Sequence, residues 1–335
     1  MRAKVKQPLS MQAAAALLLA GLLLGSTARA HPGSGIAVDA EGRVFFAAGP
    51  MIIRIDPDGT AHTIVSDRAN EKFYHLHHIQ RAPDGGLLTA SDLGDVIWRF
   101  TPEGKLTHFY PPANEDRALR VGMGGDPFTV DRDGNIYVVN SVQDRFTQIL
   151  RIAPEGRIEV LAGGAWGYAD GAGTKAKFAD LHGGSMLMAP DGALLLTESG
   201  ARIRQIAQDG TVTTLAGGET RGSADGPGKE ARFDGASGLA LDANGNLLVV
   251  ESVGRIRKIS ADGMVTTVAG SAMSGGIDGS LQEATFDEPT GIAIGSNGDI
   301  FVLEPHRSRV RKIANGRVTT IHQGAPAEAG DRRTQ

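Results

Sequence analysis

The sequence predicts an all-β fold, a six-bladed β-propeller of four-stranded antiparallel blades, from three observations. Near-identical stretches open at Val212, Val265 and Val318, so this part of the chain repeats itself every 53 residues. Turn-forming dipeptides recur in pairs, and each repeat contains four short apolar runs. Repeats of this length with four strands each are typical of propellers, whose blades surround a central channel. A β-solenoid is the weaker alternative because its repeats are usually shorter.

The turn dipeptides place a glycine after Asp, Glu or Asn, residues that suit the positive φ angles of tight hairpins. The first glycines of the pairs are Gly42, Gly85, Gly134, Gly192, Gly245 and Gly298, and the second are Gly59, Gly104, Gly156, Gly210, Gly263 and Gly316. The pairs therefore divide the chain into six units.

The fifth unit shows how the strands are predicted. Its apolar runs cover 238–241, 247–250, 255–259 and 265–268, are rich in Val, Ile and Leu, and end at turn residues. In the third run Ile256 and Ile259 lie three residues apart instead of alternating, which predicts a β-bulge. The first unit starts with its inner strand at Gly35 and the last ends with its outer strand near Ile321. We therefore expect side-chain packing, and not a shared blade, to close the ring.

The first 30 residues have the features of a secretory signal peptide. Basic residues precede an apolar run over 13–24, and Ala28-Arg29-Ala30 has the small-x-small pattern of a cleavage site. We expect an exported protein, periplasmic or secreted, with a signal peptide over 1–30, a propeller over 31–323 and a flexible tail over 324–335. No later run approaches the ~20 apolar residues of a membrane helix, so we expect no membrane span and a monomeric mature protein.

The charge of the chain argues against nucleic acid as a ligand. The formal net charge is −4, and residues 1–30 hold four basic and no acidic residues, so a mature chain would carry 30 (34 − 4) basic and 38 acidic residues, a net of −8. Eight basic residues cluster on the predicted third strands. They are Arg202, Arg204, Arg255, Arg257, Lys258, Arg309, Arg311 and Lys312. We interpret them as the solvated side of these strands rather than as an anion-binding patch.

The later units resemble NHL repeats. The NHL pattern is a Phe, a Pro-x-Gly that opens the inner strand, a turn, an apolar strand ending in an acidic residue, and Arg-Ile-Arg-Lys-Ile. The sixth unit matches with Phe286, Pro289-Thr290-Gly291, Asn297-Gly298, 300–304 and 309–313, and the fourth and fifth units match with Phe178 and Phe233. The resemblance implies a six-bladed propeller. It leaves the activity open, because NHL-like propellers include protein-binding modules, metal-dependent lyases and lactone hydrolases.

Alignment of the units brings polar residues to one rim of the predicted channel. His77, Asp126 and His182 stand at equivalent positions in consecutive units, where the inner strands begin. Imidazole and carboxylate groups are ligands of zinc and other divalent ions, and the chain has no cysteine to supply a thiolate. We predict a metal or acid–base site from these three residues, with hydration of the channel mouth as the alternative. His31, His75 and His78 lie close by in sequence and are further ligand-binding candidates.

Three glutamates end the predicted second strands of the later units. Glu198, Glu251 and Glu304 could bind calcium or a polar ligand at the same rim. Their structural alternative, which we favour, is to accept hydrogen bonds from backbone amides of the neighbouring loop.

Long glycine-rich loops cover 163–178, 217–233 and 270–286. Loops of this length are usually functional or mobile, and Trp166 is the best candidate in them for contact with a ligand or partner. Two functions from different classes therefore remain. One is an exported propeller that recognises a protein, peptide, glycan or small molecule on its loop face, and the other is a metal-dependent lyase or hydrolase centred on His77 and His182.

Overall fold

The computed structural model describes residues 35–66, 76–91, 94–110, 126–142, 145–271 and 273–324. These residues form six antiparallel sheets, which are the six blades of a β-propeller. The predicted fold class is therefore confirmed. The expected signal peptide, His31, His75 and the expected tail from residue 325 lie outside the described residues. In the described part of the chain, no helix is long and apolar enough to cross a membrane.

Blades 1 to 3 each contain four strands in sequential order. Blade 1 consists of β1 (Ile36–Val38), β2 (Val44–Ala48), β3 (Met51–Ile55) and β4 (Ala61–Ser66). Blade 2 consists of β5 (Leu76–Arg81), β6 (Leu87–Ser91), β7 (Gly94–Phe100) and β8 (Leu106–Tyr110). Blade 3 consists of β9 (Phe128–Val130), β10 (Ile136–Val142), β11 (Phe146–Ile152) and β12 (Ile158–Ala165).

Blades 4 to 6 add a short fifth strand at the outer edge. Blade 4 has the edge strand β13 (Gly171–Ala172), then β14 (Met186–Met188), β15 (Leu194–Glu198), β16 (Arg202–Ile206) and β17 (Thr211–Gly217). Blade 5 has β18 (Gly226–Pro227), β19 (Ala236–Leu241), β20 (Leu247–Glu251), β21 (Arg255–Ile259) and β22 (Met264–Ala269). Blade 6 has β23 (Gly279–Ser280), β24 (Gly291–Ile294), β25 (Ile300–Glu304), β26 (Arg309–Ala314) and β27 (Arg317–Gln323).

The turn and bulge predictions agree with these strands. Gly245 and Gly263 close the two predicted hairpins of blade 5 with φ angles of 80° and 82°. Asp242 also accepts hydrogen bonds from the backbone amides of Asn244 and Asn246, which fixes the first turn. The register of β21 against β22 shifts between Ile256 and Arg257, so the predicted bulge is confirmed.

Side-chain packing closes the ring, as expected. Phe46 and Ile36 of blade 1 share an apolar cluster with Phe301 and Leu303 of blade 6, and neither blade borrows a strand from the other. His322 on β27 belongs to the same seam, where its ring lies 5.3 Å from that of Phe46. Burial lowers the pKa of His322 below its ordinary value of 6.5, because the apolar seam disfavours the charged imidazolium.

The long inter-blade loops are part of the packed fold. Each descends along the outer edge of the next blade, where it forms β13, β18 or β23, and then returns between two blades. The returning segments, which we call the inter-blade segments, cover 176–178, 231–233 and 284–286. Their phenylalanines Phe178, Phe233 and Phe286 are fully buried. These loops are therefore long because they pack between neighbouring blades. The sequence had instead suggested that they are functional or mobile.

Candidate functional site

The first and second strands of each blade bring the predicted rim residues to one end of the propeller. We call this end, where β1, β5, β9, β14, β19 and β24 begin, the upper face. Ala236 at the start of β19 pairs with Glu251 at the end of β20, and Leu76 pairs with Ser91 in the same way in blade 2. The starts of first strands and the ends of second strands therefore share the upper face, as the alignment of the units predicts.

Asp126 and His182 meet at the upper face between blades 3 and 4. The His182 Nδ1 atom lies 3.5 Å from the Asp126 Oδ1 atom. The His182 side chain is 37% exposed and the Asp126 side chain 10% exposed, so both can be reached by a ligand. The His182 backbone amide donates a 2.9 Å hydrogen bond to Asp180 Oδ1, which holds the turn that presents the imidazole. This Asp126–His182 pair brings together an imidazole and a carboxylate of the predicted site.

His77 and His78 lie inside the fold of blade 2. Both residues are buried, and their ring centroids are 6.4 Å apart. A bulge follows His77, and it places His78 in the left-handed region at φ 49° with its ring against Phe128. Within the described residues, no three His, Asp or Glu side chains come together as a group that could hold a metal ion. The structure thus unites two of the three predicted ligands, and a zinc or calcium ion at this rim stays a prediction.

Gln80 is a channel residue that the sequence did not reveal. Its Nε2 atom donates hydrogen bonds to the Phe128 carbonyl at 2.5 Å and the Met186 carbonyl at 2.8 Å. These bonds connect blade 2 to blades 3 and 4 across the channel. A cavity of about 230 Å³ lies beside Gln80, lined largely by first strands. Gly35 admits the close approach of blade 2, since a Cβ atom on it would meet the Ile79 backbone nitrogen at 1.7 Å.

Each of Glu198, Glu251 and Glu304 is buried in a cluster that recurs in blades 4 to 6. In blade 5, Glu251 Oε1 accepts the Asp234 backbone amide at 2.7 Å, and Oε2 accepts Arg257 Nη1 at 3.1 Å. Arg257 Nη2 also donates to Asp225 Oδ1 at 2.6 Å, and its guanidinium lies 5.3 Å from the Phe233 ring centroid. The hydrogen bond from the Asp234 backbone amide is the kind of contact predicted for these glutamates if their role is structural.

We call this arrangement the Glu–Arg–Asp cluster. Its members are Glu198, Arg204 and Asp170 in blade 4, Glu251, Arg257 and Asp225 in blade 5, and Glu304, Arg311 and Asp278 in blade 6. Burial raises the pKa of Glu251 because it penalises the carboxylate, although the Asp234 amide and Arg257 oppose this. For Asp225 burial acts in the same direction, but hydrogen bonds from Thr267 and Arg257 outweigh it and lower the pKa.

The clusters correct the interpretation of the basic residues as a solvated strand face. Arg204, Arg257 and Arg311 are fully buried, and Arg202 and Arg309 are 7% and 8% exposed. The interpretation was wrong for these five residues. Arg204, Arg257 and Arg311 each pair with the glutamate that ends the preceding strand and with a loop aspartate far away in sequence, which the interpretation did not consider. The signal that could have revealed them is the loop aspartate, which precedes the buried arginine by 34, 32 and 33 residues (170 to 204, 225 to 257, 278 to 311).

Trp166 lies at the outer rim of the upper face. It directly follows β12, the outermost strand of blade 3, and its backbone amide donates to the Arg145 carbonyl at 3.0 Å. The side chain is 42% exposed, and Tyr168 beside it in sequence is 39% exposed. Tyr168 is further fixed by a 2.8 Å hydrogen bond between its hydroxyl and Thr214 Oγ1. This rim position is compatible with contact to a ligand or partner, as predicted for Trp166.

Comparison with known proteins places the chain among six-bladed propellers. No family model matches it. One curated relative, Protein SUPPRESSOR OF QUENCHING 1, chloroplastic, from Arabidopsis thaliana, is 31% identical over 116 residues, which are 32% of this chain and only 11% of the relative. The resemblance to NHL repeats therefore stays a prediction at the level of the family.

Solved structures show the same fold at low identity. A Bacteroides thetaiotaomicron protein of unknown function has a TM-score of 0.65 at 19% identity, with 88% of this chain and 72% of that chain covered. An auxiliary nutrient binding protein from the same species has a TM-score of 0.62 at 16% identity, with coverages of 87% and 69%. Virginiamycin B lyase from Staphylococcus aureus has a TM-score of 0.50 at 19% identity, with coverages of 88% and 85%. Likeness at these identities shows the fold, and function must be argued from the site.

Proposed function

We propose that this protein is an exported binding propeller that holds its ligand on the upper face, at the Asp126–His182 pair. The observation that carries the proposal is the 3.5 Å approach of Asp126 and His182 from consecutive blades, with the imidazole 37% exposed. The glutamates of the three clusters at this face are in contrast buried. The pair is therefore open to an incoming ligand and, unlike the exposed His306–Glu288 pair of blade 6, joins two consecutive blades.

The chemistry of the pair suits a polar ligand. A carboxylate accepts hydrogen bonds, and an imidazole donates or accepts according to its protonation, so together they can bind hydroxyl and amide groups. Sugars and peptides carry both kinds of group. The similarity in fold to an auxiliary nutrient binding protein supports this class of function.

Export belongs to the same proposal. The basic and apolar segments before residue 31 are typical of a signal peptide. We infer that the functional form begins at His31 and meets its ligand outside the cytoplasm, where it acts as a monomer.

Replacing His182 by Ala should abolish ligand binding and leave the fold intact. The measurement is a thermal shift of exported protein, with glucose, maltose, N-acetylglucosamine and trialanine as probes, after intact mass has shown a chain that begins at His31. A probe at 100 times its Kd stabilises the folded state by about 2.7 kcal/mol, enough to raise the melting temperature clearly. We expect at least one probe to shift the wild type and to have no effect on His182→Ala.

A matched control is available on β4. His62 Nε2 also contacts an aspartate, Asp56 Oδ2, at 3.1 Å, and lies on a different blade from Asp126 and His182. The His62→Ala variant should keep the wild-type response. A shift that survives in His182→Ala would contradict the placement of the site, and the absence of any shift in the wild type would contradict the proposed ligand class.

A lyase or hydrolase is the second candidate, and the same pair favours it. An imidazole oriented by a carboxylate is an effective proton-transfer group near neutral pH. One similar fold is that of virginiamycin B lyase. Zinc would need a third protein ligand besides Asp126 and His182, since catalytic zinc sites use three. Zinc chloride is therefore a fifth probe in the same experiment. If zinc raises the melting temperature of the wild type but not of His182→Ala or Asp126→Asn, a metal-dependent enzyme is favoured. If zinc does not raise it, a lyase or hydrolase at this pair would have to work without the metal.

A further inference from the structure

Arg202 is a buried cation that no carboxylate of the described residues pairs with. It opens β16, at the upper face, and is only 7% exposed. Its Nε atom is buried and has no hydrogen-bond partner among the described residues. Among the ranges that the structure describes, no carboxylate forms an ion pair with Arg202, and the nearby Glu198 accepts instead from Arg204 Nη1 at 2.5 Å. An unpaired buried charge is costly, so a compensating group is expected at this position.

The equivalent arginine of blade 6 shows what Arg202 lacks. Arg309 opens β26 and is 8% exposed, but its Nε atom donates to Glu304 and its Nη2 atom donates to the Gly275 carbonyl at 3.1 Å. The loop beside Arg309 carries Gly276 two residues before the cluster aspartate. A Cβ atom on Gly276 would meet Arg309 Nη1 at 1.9 Å, so the loop backbone packs directly on this guanidinium. In blade 6 the hydrogen-bond partners of this arginine therefore come from the same blade and its loop.

Blade 4 instead places Tyr168 at the position of Gly276, two residues before Asp170. The Arg202 guanidinium lies 3.8 Å from the Tyr168 ring centroid, and the Arg204 guanidinium lies 4.8 Å from the same ring. Stacking orients the guanidinium plane but supplies no anion. The Tyr168 ring is 39% exposed, and Trp166 next to it in the same loop is 42% exposed. The result is an oriented cation against the Tyr168 ring, with a second exposed aromatic side chain, Trp166, two residues earlier in the same loop.

We propose that Arg202 binds the carboxylate of a small cyclic organic acid, whose ring packs against Tyr168 and Trp166. A carboxylate matches the guanidinium fork with two parallel hydrogen bonds, and exposed aromatic rings favour the flat apolar side of a ring-shaped ligand. A single anionic charge suits the site better than a phosphate dianion, because Asp170 lies two residues after Tyr168 in the same loop and is 41% exposed, and the whole chain is net negative. This site is distinct in its residues from the Asp126–His182 pair and stands independently of it.

The test is calorimetric titration of the mature protein with glucuronate. Glucose, which has the same ring without the carboxylate, and inorganic phosphate are the comparison ligands. Glucuronate should bind the wild type more tightly than either. Arg202→Gln should weaken glucuronate binding by roughly tenfold or more, because a charge-assisted hydrogen bond is lost. Arg202→Lys should also weaken it, since an ammonium group cannot form the paired contact.

The matched control is Arg255→Gln, at the same strand position in blade 5, where Ser223 stands in place of Tyr168. This variant should bind glucuronate as the wild type does. The melting temperature of Arg202→Gln should equal or exceed that of the wild type, because removal of an unpaired buried charge relieves a cost. Equal binding of glucose and glucuronate, tighter binding of phosphate, or unchanged glucuronate binding in Arg202→Gln would each overturn the proposal.

Discussion

Replacing Glu251 by Ala should lower the free energy of unfolding by about 3–5 kcal/mol, the usual effect of removing one partner from a buried ion pair. Among the described residues, the substitution leaves fully buried Arg257 with only the half-exposed Asp225 as counter-charge. It also leaves the Asp234 backbone amide without its acceptor. The loss comes mainly from these stranded groups and not from the removed contact itself.

Urea unfolding of Glu251→Ala, Asp225→Asn and Glu230→Ala measures this effect. Asp225→Asn should cost about 1 kcal/mol, because the Asp225 side chain is 48% exposed and water screens its ion pair. Glu230→Ala, an exposed control in the same loop, should be near neutral. The double variant Glu251→Leu/Arg257→Met should lose less than Glu251→Ala, since it leaves no buried charge. A loss below about 1 kcal/mol for Glu251→Ala would contradict the role assigned to the cluster.

The clusters divide the ring into two kinds of blade. The buried cluster arginine of blade 5 directly follows the bulge after Ile256, and the residues that follow the corresponding bulges of blades 1 and 3 are Ile53 and Leu150. The second strands of those blades carry Ala48 and Asn140 where blade 5 carries Glu251. At the position of the buried cluster arginine, blades 1 and 3 therefore carry an apolar side chain where blades 4 to 6 carry a charge.

The strands, turns and bulges could be predicted because each has a local cause. A positive φ angle selects glycine after Asp or Asn, as at Gly245 and Gly263, and the spacing of Ile256 and Ile259 reports the bulge directly. Such features are determined within a few residues of the chain. They were sufficient to count the blades and therefore to predict the fold.

The candidate site could be predicted only in part because its contacts cross blades. Alignment of the repeats found Asp126 and His182, which share one position in consecutive units. The same alignment treated His77 as equivalent, although the bulge beside it and its burial set it apart. Gln80 and Arg202 were not singled out as functional residues, since their significance depends on groups in other strands and loops. Sequence periodicity reports which end of a blade a residue occupies, but not the partners that it meets there.

Replacing Phe233 by Ala should lower the free energy of unfolding by about 3–5 kcal/mol, as large as the loss of a central core residue. Phe233 is fully buried in an inter-blade segment and packs in one cluster with Leu195 and Ile203 of blade 4 and Leu247 and Val249 of blade 5.

Two controls separate this effect from ordinary loop substitutions in the same urea experiment. Trp166→Ala removes an aromatic side chain of the preceding long loop that is 42% exposed, and Met264→Ala removes an apolar side chain of blade 5 that is 41% exposed. Both variants should lose much less free energy of unfolding than Phe233→Ala, because little apolar area returns to water and no cavity forms. If Phe233→Ala were no more destabilising than Trp166→Ala, the inter-blade segments would be coverings of the blades and not part of their core. The expected difference instead follows from where the loop returns, between two sheets that share no strand pairing and pack on each other through side chains such as this one.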